Sequence, residues 1–337
     1  MTTTNIYQLP DLLARFPEKS GGVNPHLAEV NDEHIKWLND CPAFGPSDRE
    51  ALHKAWLPLL AASFFPKVDA NALRAITDYV TATVILDKTN DTATEEKAEE
   101  FSLLYTSAFN NPSEGIKHKP PFFQLISSLA LALGGYIEPA YRMDFLSANG
   151  IFAWSTAQEA IERRAAQDTN AKMTMEAYFT TRRDSVSIRP YIVLIRSTRS
   201  LSIPKDVLHE PSVRGMEEAT IDLIIIANDI YSYKKELAED NAPHNLLTVL
   251  LNDPPTPHLD LQGAIDYAGK LFELALDRFR GCRVALPSIN EETDRMLVEY
   301  ADGLSDLFVG GIEWGLVVPR YQVFDTEEHR QNRWMVL

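Results

Sequence analysis

Residues 213–237 read VRGMEEATIDLIIIANDIYSYKKEL and form the longest helix-periodic run in the chain. The centre, Ile221-Asp222-Leu223-Ile224-Ile225-Ile226-Ala227, is apolar on nearly every side, as befits a helix inside a core. It leads straight into Asn228-Asp229-Ile230-Tyr231-Ser232-Tyr233-Lys234-Lys235-Glu236. Asn228, Ser232 and Glu236 are spaced by four twice. Each step of four advances only about 40° around a helix, so the three lie in one stripe about 12 Å long. An amide oxygen, a hydroxyl and a carboxylate are hard donors, and their low formal charge leaves room for phosphate and water in the six-oxygen shell of magnesium. No histidine or cysteine takes part, which argues against zinc or copper. Asn228 and Asp229 are poor helix formers within a strong helix, an inconsistency expected at a functional site. The same spacing also accommodates a purely structural role: Ser232 bonded back to its helix, Asn228 bonded internally, Glu236 paired with a neighbouring lysine.

Outward from this run the chain reads as helices separated by short punctuated loops. Residues 24–26 and 41–47 frame a short helix with Ile35 and Leu38 on one face. Ser47, with Glu50 three residues on, predicts the cap of the next helix. Residues 69–86 keep helical spacing through Leu73, Ile76, Tyr79, Val80 and Val84. A polar segment follows at 90–100, then a three-proline loop at 110–121. Further helical patterns cover 122–134, 140–165 with a break at Asn149-Gly150, 173–183, 203–208, 261–279, 289–307 and 311–320. Residues 184–190 predict a bend, and the three prolines in 253–258 a hard stop. There is no internal repeat, no flexible linker and no alternation of strands with helices, so the fold class is all-α.

Within 84–91, Val84-Ile85-Leu86-Asp87-Lys88-Thr89-Asn90-Asp91, two carboxylates stand four apart, on the inward line of Leu73, Val80, Thr83 and Val84. Like charges at that spacing repel unless a cation sits between them. A helix end fraying into a solvated acidic loop accounts for Asp87 and Asp91 equally well.

The 337 residues are 45% hydrophobic and 24% charged, which excludes a disordered or fibrous chain. Lysine and arginine number 32 against 48 acidic residues, and the net charge of −16 argues against a nucleic-acid partner. A phosphorylated small molecule stays open, because carboxylate-bound metal ions reverse the sign locally. Two cysteines, Cys41 and Cys282, make a disulfide framework or thiolate cluster an unneeded assumption. The opening residues lack a secretory pattern, and the apolar stretches 127–133 and 221–227 fall far short of the roughly 20 residues that cross a bilayer. The expectation is a cytoplasmic protein without membrane insertion, one domain over 1–337 with flexible tails at about 1–20 and 323–337.

Taken whole, Asn228 to Glu236 resembles the asparagine-serine-glutamate motif of class I terpene synthases. That pattern runs Asn or Asp, Asp, an aliphatic residue, any residue, Ser or Thr, three further residues and Glu; every fixed position is met, including a Lys-Glu ending. Companions appear in family order: Asp87 to Asp91 in the place of the aspartate-rich motif, Arg182 46 residues before Asn228, Trp314, and the pair Arg320-Tyr321. Asn24-Pro25 followed by Trp37 resembles the opening of the fungal sesquiterpene synthase group. The likeness spans 24–321. Two departures stand out: Lys88 occupies a position that is usually acidic, and 183–188 lacks the glycine common in the bend after the arginine.

The resemblance implies an antiparallel helical bundle around a deep apolar cavity, with metal ligands on opposite walls of its mouth. It implies that Asp87, Asn228, Ser232 and Glu236 bind three magnesium ions, manganese being a substitute, while Asp91 orients or closes the site. Arg182, Lys235, Arg320 and Tyr321 would bind the diphosphate of an allylic prenyl substrate. Phe64, Phe65, Tyr79 and Trp314 would face the resulting cation, with Val80, Thr83 and Val84 shaping the wall below Asp87. Closure of 90–100 and 183–190 would gate the reaction. Farnesyl diphosphate and a cyclic sesquiterpene are the expected substrate and product, from a monomer or homodimer. An acyclic alcohol such as nerolidol or linalool, and a noncatalytic diphosphate-lipid-binding helical protein, are the alternatives.

Overall fold

A computed structural model describes residues 5–14, 16, 21–114, 121–169, 173–239, 241–253 and 258–337, which wind into an all-α bundle. Helix α1 (Leu27–Asp40) buries Val30, His34 and Leu38. These stand at intervals of four, so Ile35, expected beside Leu38, lies about 100° from His34 and is exposed. Helix α2 (Pro46–Ala55) begins earlier than Ser47 predicts. Pro46 presets the first turn, Gly45 becomes the cap, and Asp48 Oδ2 accepts the Gly45 N–H at 3.1 Å. Trp56, in the left-handed region at φ 41°, separates α2 from α3 (Leu57–Phe64).

Helix α4 (Ala70–Thr92) is capped by Asp69, whose Oδ1 accepts the Ala72 N–H at 2.9 Å. It runs through Asn90, and α5 (Glu95–Asn110) starts at once behind the Thr94 cap. The polar segment at 90–100 is therefore mostly helix. Asn90 is buried and donates to Thr156 Oγ1 at 2.8 Å and Ser102 Oγ at 3.2 Å. After α6 (Pro121–Gly134), α7 (Arg142–Thr169) passes Asn149-Gly150 without the expected break. Asn149 Oδ1 accepts the hydroxyls of Tyr79 and Tyr105 at 2.9 and 3.1 Å, so it does not compete with its own backbone.

The bend expected at 184–190 narrows to two residues between α8 (Met175–Ser185) and α9 (Ile188–Thr198), with Ser187 at φ 65°. A short turn, α10 (Lys205–Leu208), precedes the long α11 (Pro211–Ala238). Next come α12 (Leu246–Asn252), α13 (Leu261–Val284) and α14 (Glu291–Val317). The two helices expected at 289–307 and 311–320 are one. Gly310 lets it lie directly on α3, for a Cβ there would meet the Ser63 backbone at 2.8 Å. Helix α11 packs most extensively on α13 and α14, and its span from Ile221 to Ala227 is buried throughout.

The described ends are not free tails. Strand β1 (Ile6–Gln8) pairs antiparallel with β2 (Trp334–Val336) beyond α15 (Glu327–Asn332), Tyr7 opposite Met335. Leu9, Leu12, Val323 and Met335 are buried, so apolar side chains at both ends pin them to the bundle. Residues 1–4, 15 and 17–20 of the expected tail, and parts of the proline-rich loops (115–120 and 254–257), lie outside the described residues.

Candidate active site

One face of α4 delivers Val80, Thr83, Val84 and Asp87 to a cavity that encloses about 1050 Å³, its open mouth included. Their spacing of three, one and three residues keeps all four within a single helical stripe. Across the space α11 presents Ile224, Ala227, Asn228, Tyr231, Lys235 and Glu236. Helix α14 and the residues after it add Trp314, Arg320 and Tyr321; the end of α8 adds Arg182 and Ser185, the turn after it Ser187, and α9 Tyr191. The apolar end includes Leu60, Phe64, Phe152 and Ile312.

At the mouth the polar groups interlock. Arg182 Nη2 donates to Asn228 Oδ1 at 3.0 Å, and Asn228 Nδ2 donates to the Tyr321 hydroxyl at 2.7 Å. The same guanidinium stands 3.6 Å from both Glu159 and Asp229. Asp229 is turned away from the cavity and accepts from the Tyr178 hydroxyl and, at 2.5 Å, from the Leu246 N–H. Glu236 Oε2 accepts from Asn245 Nδ2 at 2.9 Å. Lys235 lines the cavity and also pairs with Glu239 at 2.6 Å. Burial pushes the Asp87 carboxyl up to about 7, helped by the nearby Asp91 and Glu159 and opposed by Arg182 and Arg320. Burial likewise raises the Tyr321 hydroxyl to about 12, so it remains a hydrogen-bond donor.

These residues fit a hard cation. Asp87 is buried with like charges as neighbours, and Ser232 Oγ is buried without a hydrogen-bond partner among the described residues. Both conditions are relieved by an oxygen-loving metal ion. Among the described residues no three His, Cys, Asp or Glu side chains converge as a metal cluster. The expected donors instead mix an amide and a hydroxyl with carboxylates, and of these Asp87 on α4 faces Asn228 and Glu236 on α11 across the cavity.

Several expected residues stand elsewhere. Phe65 and Tyr79 do not line the cavity; they lie one layer behind, with ring centroids 6.4 and 5.3 Å from Tyr191. Tyr191 fills the wall they were expected to fill, and Phe64 packs edge-on against it at 5.5 Å. Ser232 and Asp91 are outside the lining. Lys88 points away from the mouth and pairs with Asp48 on α2 at 2.8 Å. Trp314 does line the cavity, its Nε1 fixed on Ala55 O at 3.0 Å and its ring edge-on to Tyr321. Reading the sequence missed Tyr191, Tyr231, Phe152, Ser185 and Glu159. Tyr231 had a usable signal, lying three residues after Asn228 on the same helix; the others come from distant elements.

A model of the family described as terpene synthase family 2, C-terminal metal binding, matches residues 78–278. The chain belongs to that family. As a terpene synthase it is 28% identical to sesquiterpene synthase Agr1 of Cyclocybe aegerita over 320 residues, covering 93% of this chain and 88% of the relative. It is 25% identical to the delta(6)-protoilludene synthase of Armillaria gallica over 337 residues, 98% and 93% of the two chains. Among solved structures it is similar to α-eudesmol synthase, with TM-score 0.74 at 21% identity over 89% of this chain and 97% of that one. The linalool/nerolidol synthase of Streptomyces clavuligerus gives TM-score 0.74 at 20% identity, over 89% and 98%. These two likenesses show the terpene synthase fold. Among the described residues, no helix is long and apolar enough to cross a membrane.

Proposed function

We propose that this terpene synthase ionises farnesyl diphosphate with magnesium and releases a cyclic sesquiterpene and diphosphate. The observation that carries the reading is the juxtaposition of Asp87 with the Asn228–Glu236 stripe across the mouth of an apolar cavity ringed by Arg182, Lys235 and Arg320. The curated relatives named as sesquiterpene synthases support the fifteen-carbon substrate.

Asp87, Asn228, Ser232 and Glu236 would hold three magnesium ions, or manganese in their place, with Asp91 one turn beyond Asp87 orienting the set. Magnesium held there would supply charge that offsets the leaving diphosphate and so would favour cleavage of the carbon–oxygen bond. Arg182, Lys235 and Arg320 supply fixed positive charge where the negative charge develops, and Tyr321 a hydrogen bond. Preorganisation is the protein's part: Asn228 is held between Arg182 and Tyr321, and Glu236 by Asn245. Below the mouth, Phe64, Tyr191 and Trp314 with Val80, Thr83 and Val84 surround the substrate chain, exclude water and present aromatic faces to a cation.

The test is gas chromatography and mass spectrometry of products after incubation with geranyl, farnesyl and geranylgeranyl diphosphates, each with magnesium or with chelator. A magnesium-dependent cyclic product from the farnesyl substrate is expected. Intact substrate in every tube, with the protein shown to be folded, would reject the reading. A solely acyclic alcohol would reject the cyclisation.

A further inference from the structure

The four glycines of α14 differ in what a side chain would meet. A Cβ on Gly303 would stand 2.5 Å from Ile195 Cγ2, one on Gly310 2.8 Å from the Ser63 backbone, and one on Gly315 2.9 Å from the Tyr231 ring. At these three buried positions a neighbouring element comes too close for any side chain, and packing explains the glycine. Gly311 is different. A Cβ there would meet only the Phe64 ring among the described residues, at 3.5 Å, which is ordinary van der Waals contact. Glycine inside a helix is destabilising relative to alanine, because its backbone loses more freedom on folding. At Gly311 the helix therefore bears a weakness that no neighbour imposes.

The space kept open there belongs to the cavity. Gly311 and Phe64 both line it, and Trp314 and Gly315 follow Gly311 three and four residues later on the same stripe of α14. Arg320 and Tyr321 lie at the mouth, beyond the end of that helix. Gly311 is one helical turn further from them than Gly315, next to Ile312 at the apolar end. Bare backbone is thus exposed beside the Phe64 ring, on the side where the far part of a bound prenyl chain would lie.

We propose that Gly311 is a specificity-determining residue, its missing side chain making room for the distal carbons of a fifteen-carbon chain. The inference rests on the farnesyl reading above and deepens it. A methyl group at this position fills space that the longer chain occupies and a ten-carbon chain does not reach. It leaves the mouth, where the diphosphate would bind, untouched. An apolar wall discriminates by volume alone, and one methyl group in such a wall is worth about ten-fold or more in selectivity.

The experiment compares wild type, Gly311→Ala and Gly281→Ala. Gly281 on α13 is exposed, has nothing within 4 Å of an added Cβ among the described residues, and lies outside the cavity lining, so it controls for a helical glycine without a cavity. With magnesium present, kcat/KM is measured for farnesyl diphosphate, and geranyl diphosphate and inorganic diphosphate are measured as competitive inhibitors. Melting temperature reports the fold. In Gly311→Ala, kcat/KM for farnesyl diphosphate should fall at least about ten-fold while both inhibition constants and the melting temperature hold. Gly281→Ala should leave the kinetics unchanged. An undiminished kcat/KM, a comparable fall in Gly281→Ala, or an equal loss of affinity for the two inhibitors overturns the proposal. So does a lowered melting temperature for Gly311→Ala, which would make the glycine a packing requirement. Wild-type protein that leaves farnesyl diphosphate intact sinks the underlying reaction instead, a failure distinguishable because it precedes any variant.

Discussion

The bundle buries two arginine-centred clusters, and they do different things. Between α1 and α4, Arg74 pairs with Asp78, comes within 3.4 Å of His34 Nδ1, and lies over the Trp37 ring with its carbon 5.6 Å from the centroid. At the cavity mouth, Arg182 is shared by Glu159 and Asp229 and donates to Asn228. The first cluster matches one cation to one buried acid and borders no part of the cavity. The second shares its arginine between two acids, leaves Ser232 Oγ, Arg182 Nε and Arg320 Nε without hydrogen-bond partners among the described residues, and opens onto the cavity. Buried charge alone therefore does not mark a site. Buried polar atoms without partners at the mouth of an apolar cavity do.

Removing one polar side chain from each cluster should separate fold from chemistry. The largest effect is expected for Asp78→Ala, which leaves the partly buried Arg74 only the Glu33 carboxylate, 3.9 Å away, and should cost about 3 kcal/mol of unfolding free energy. Urea denaturation measures the loss, and the folded fraction should keep its turnover; lost turnover at full stability would break the contrast. Next comes Asn228→Ala, expected to lower diphosphate release at least about 100-fold at ordinary magnesium while the protein stays folded. Full activity would mean that the stripe on α11 holds no metal.

A pH comparison sharpens the picture. Burial raises the Asp78 carboxyl to about 6, against the pull of Arg74, and lowers His34 to about 3. A carboxyl with a folded value above its ordinary 3.8 holds its proton more tightly in the folded chain. Its contribution favours folding at low pH and is lost as pH rises through about 4 to 6. Wild type should therefore lose about 1–3 kcal/mol relative to Asp78→Asn between pH 4 and pH 7. Denaturation curves at the two pH values would show the opposite slope if Arg74 governed that carboxyl. The smallest effect belongs to Lys88→Glu. Its exposed pair with Asp48 is worth at most about 1 kcal/mol, and the head lies outside the mouth. Turnover should hardly change, and a clear increase would place the lysine among the metal-binding groups.

Much of this was legible in the residues, and the boundary has a physical cause. The stripe Asn228-Ser232-Glu236 and the wall Val80-Thr83-Val84-Asp87 each lie on one helix, where a fixed rise and twist per residue turn spacing into geometry. All-α content followed from the same periodicity, and helix ends failed where a neighbour overrode a local signal, as Pro46 did for Ser47 and Tyr79 with Tyr105 did for Asn149. What could not be read joins distant segments. Tyr191 displaces Phe65 and Tyr79 from the wall because α9 crosses in front of them, and no spacing along α3 or α4 records that crossing. Lys88 turns outward because α2 offers Asp48, 40 residues earlier in the chain. Glu159 comes to stand behind Ser185, 26 residues later, only when α7 and α8 pack together. Intrahelical order is a property of the chain, whereas the floor of the cavity arises from how separate helices bury their apolar faces against one another.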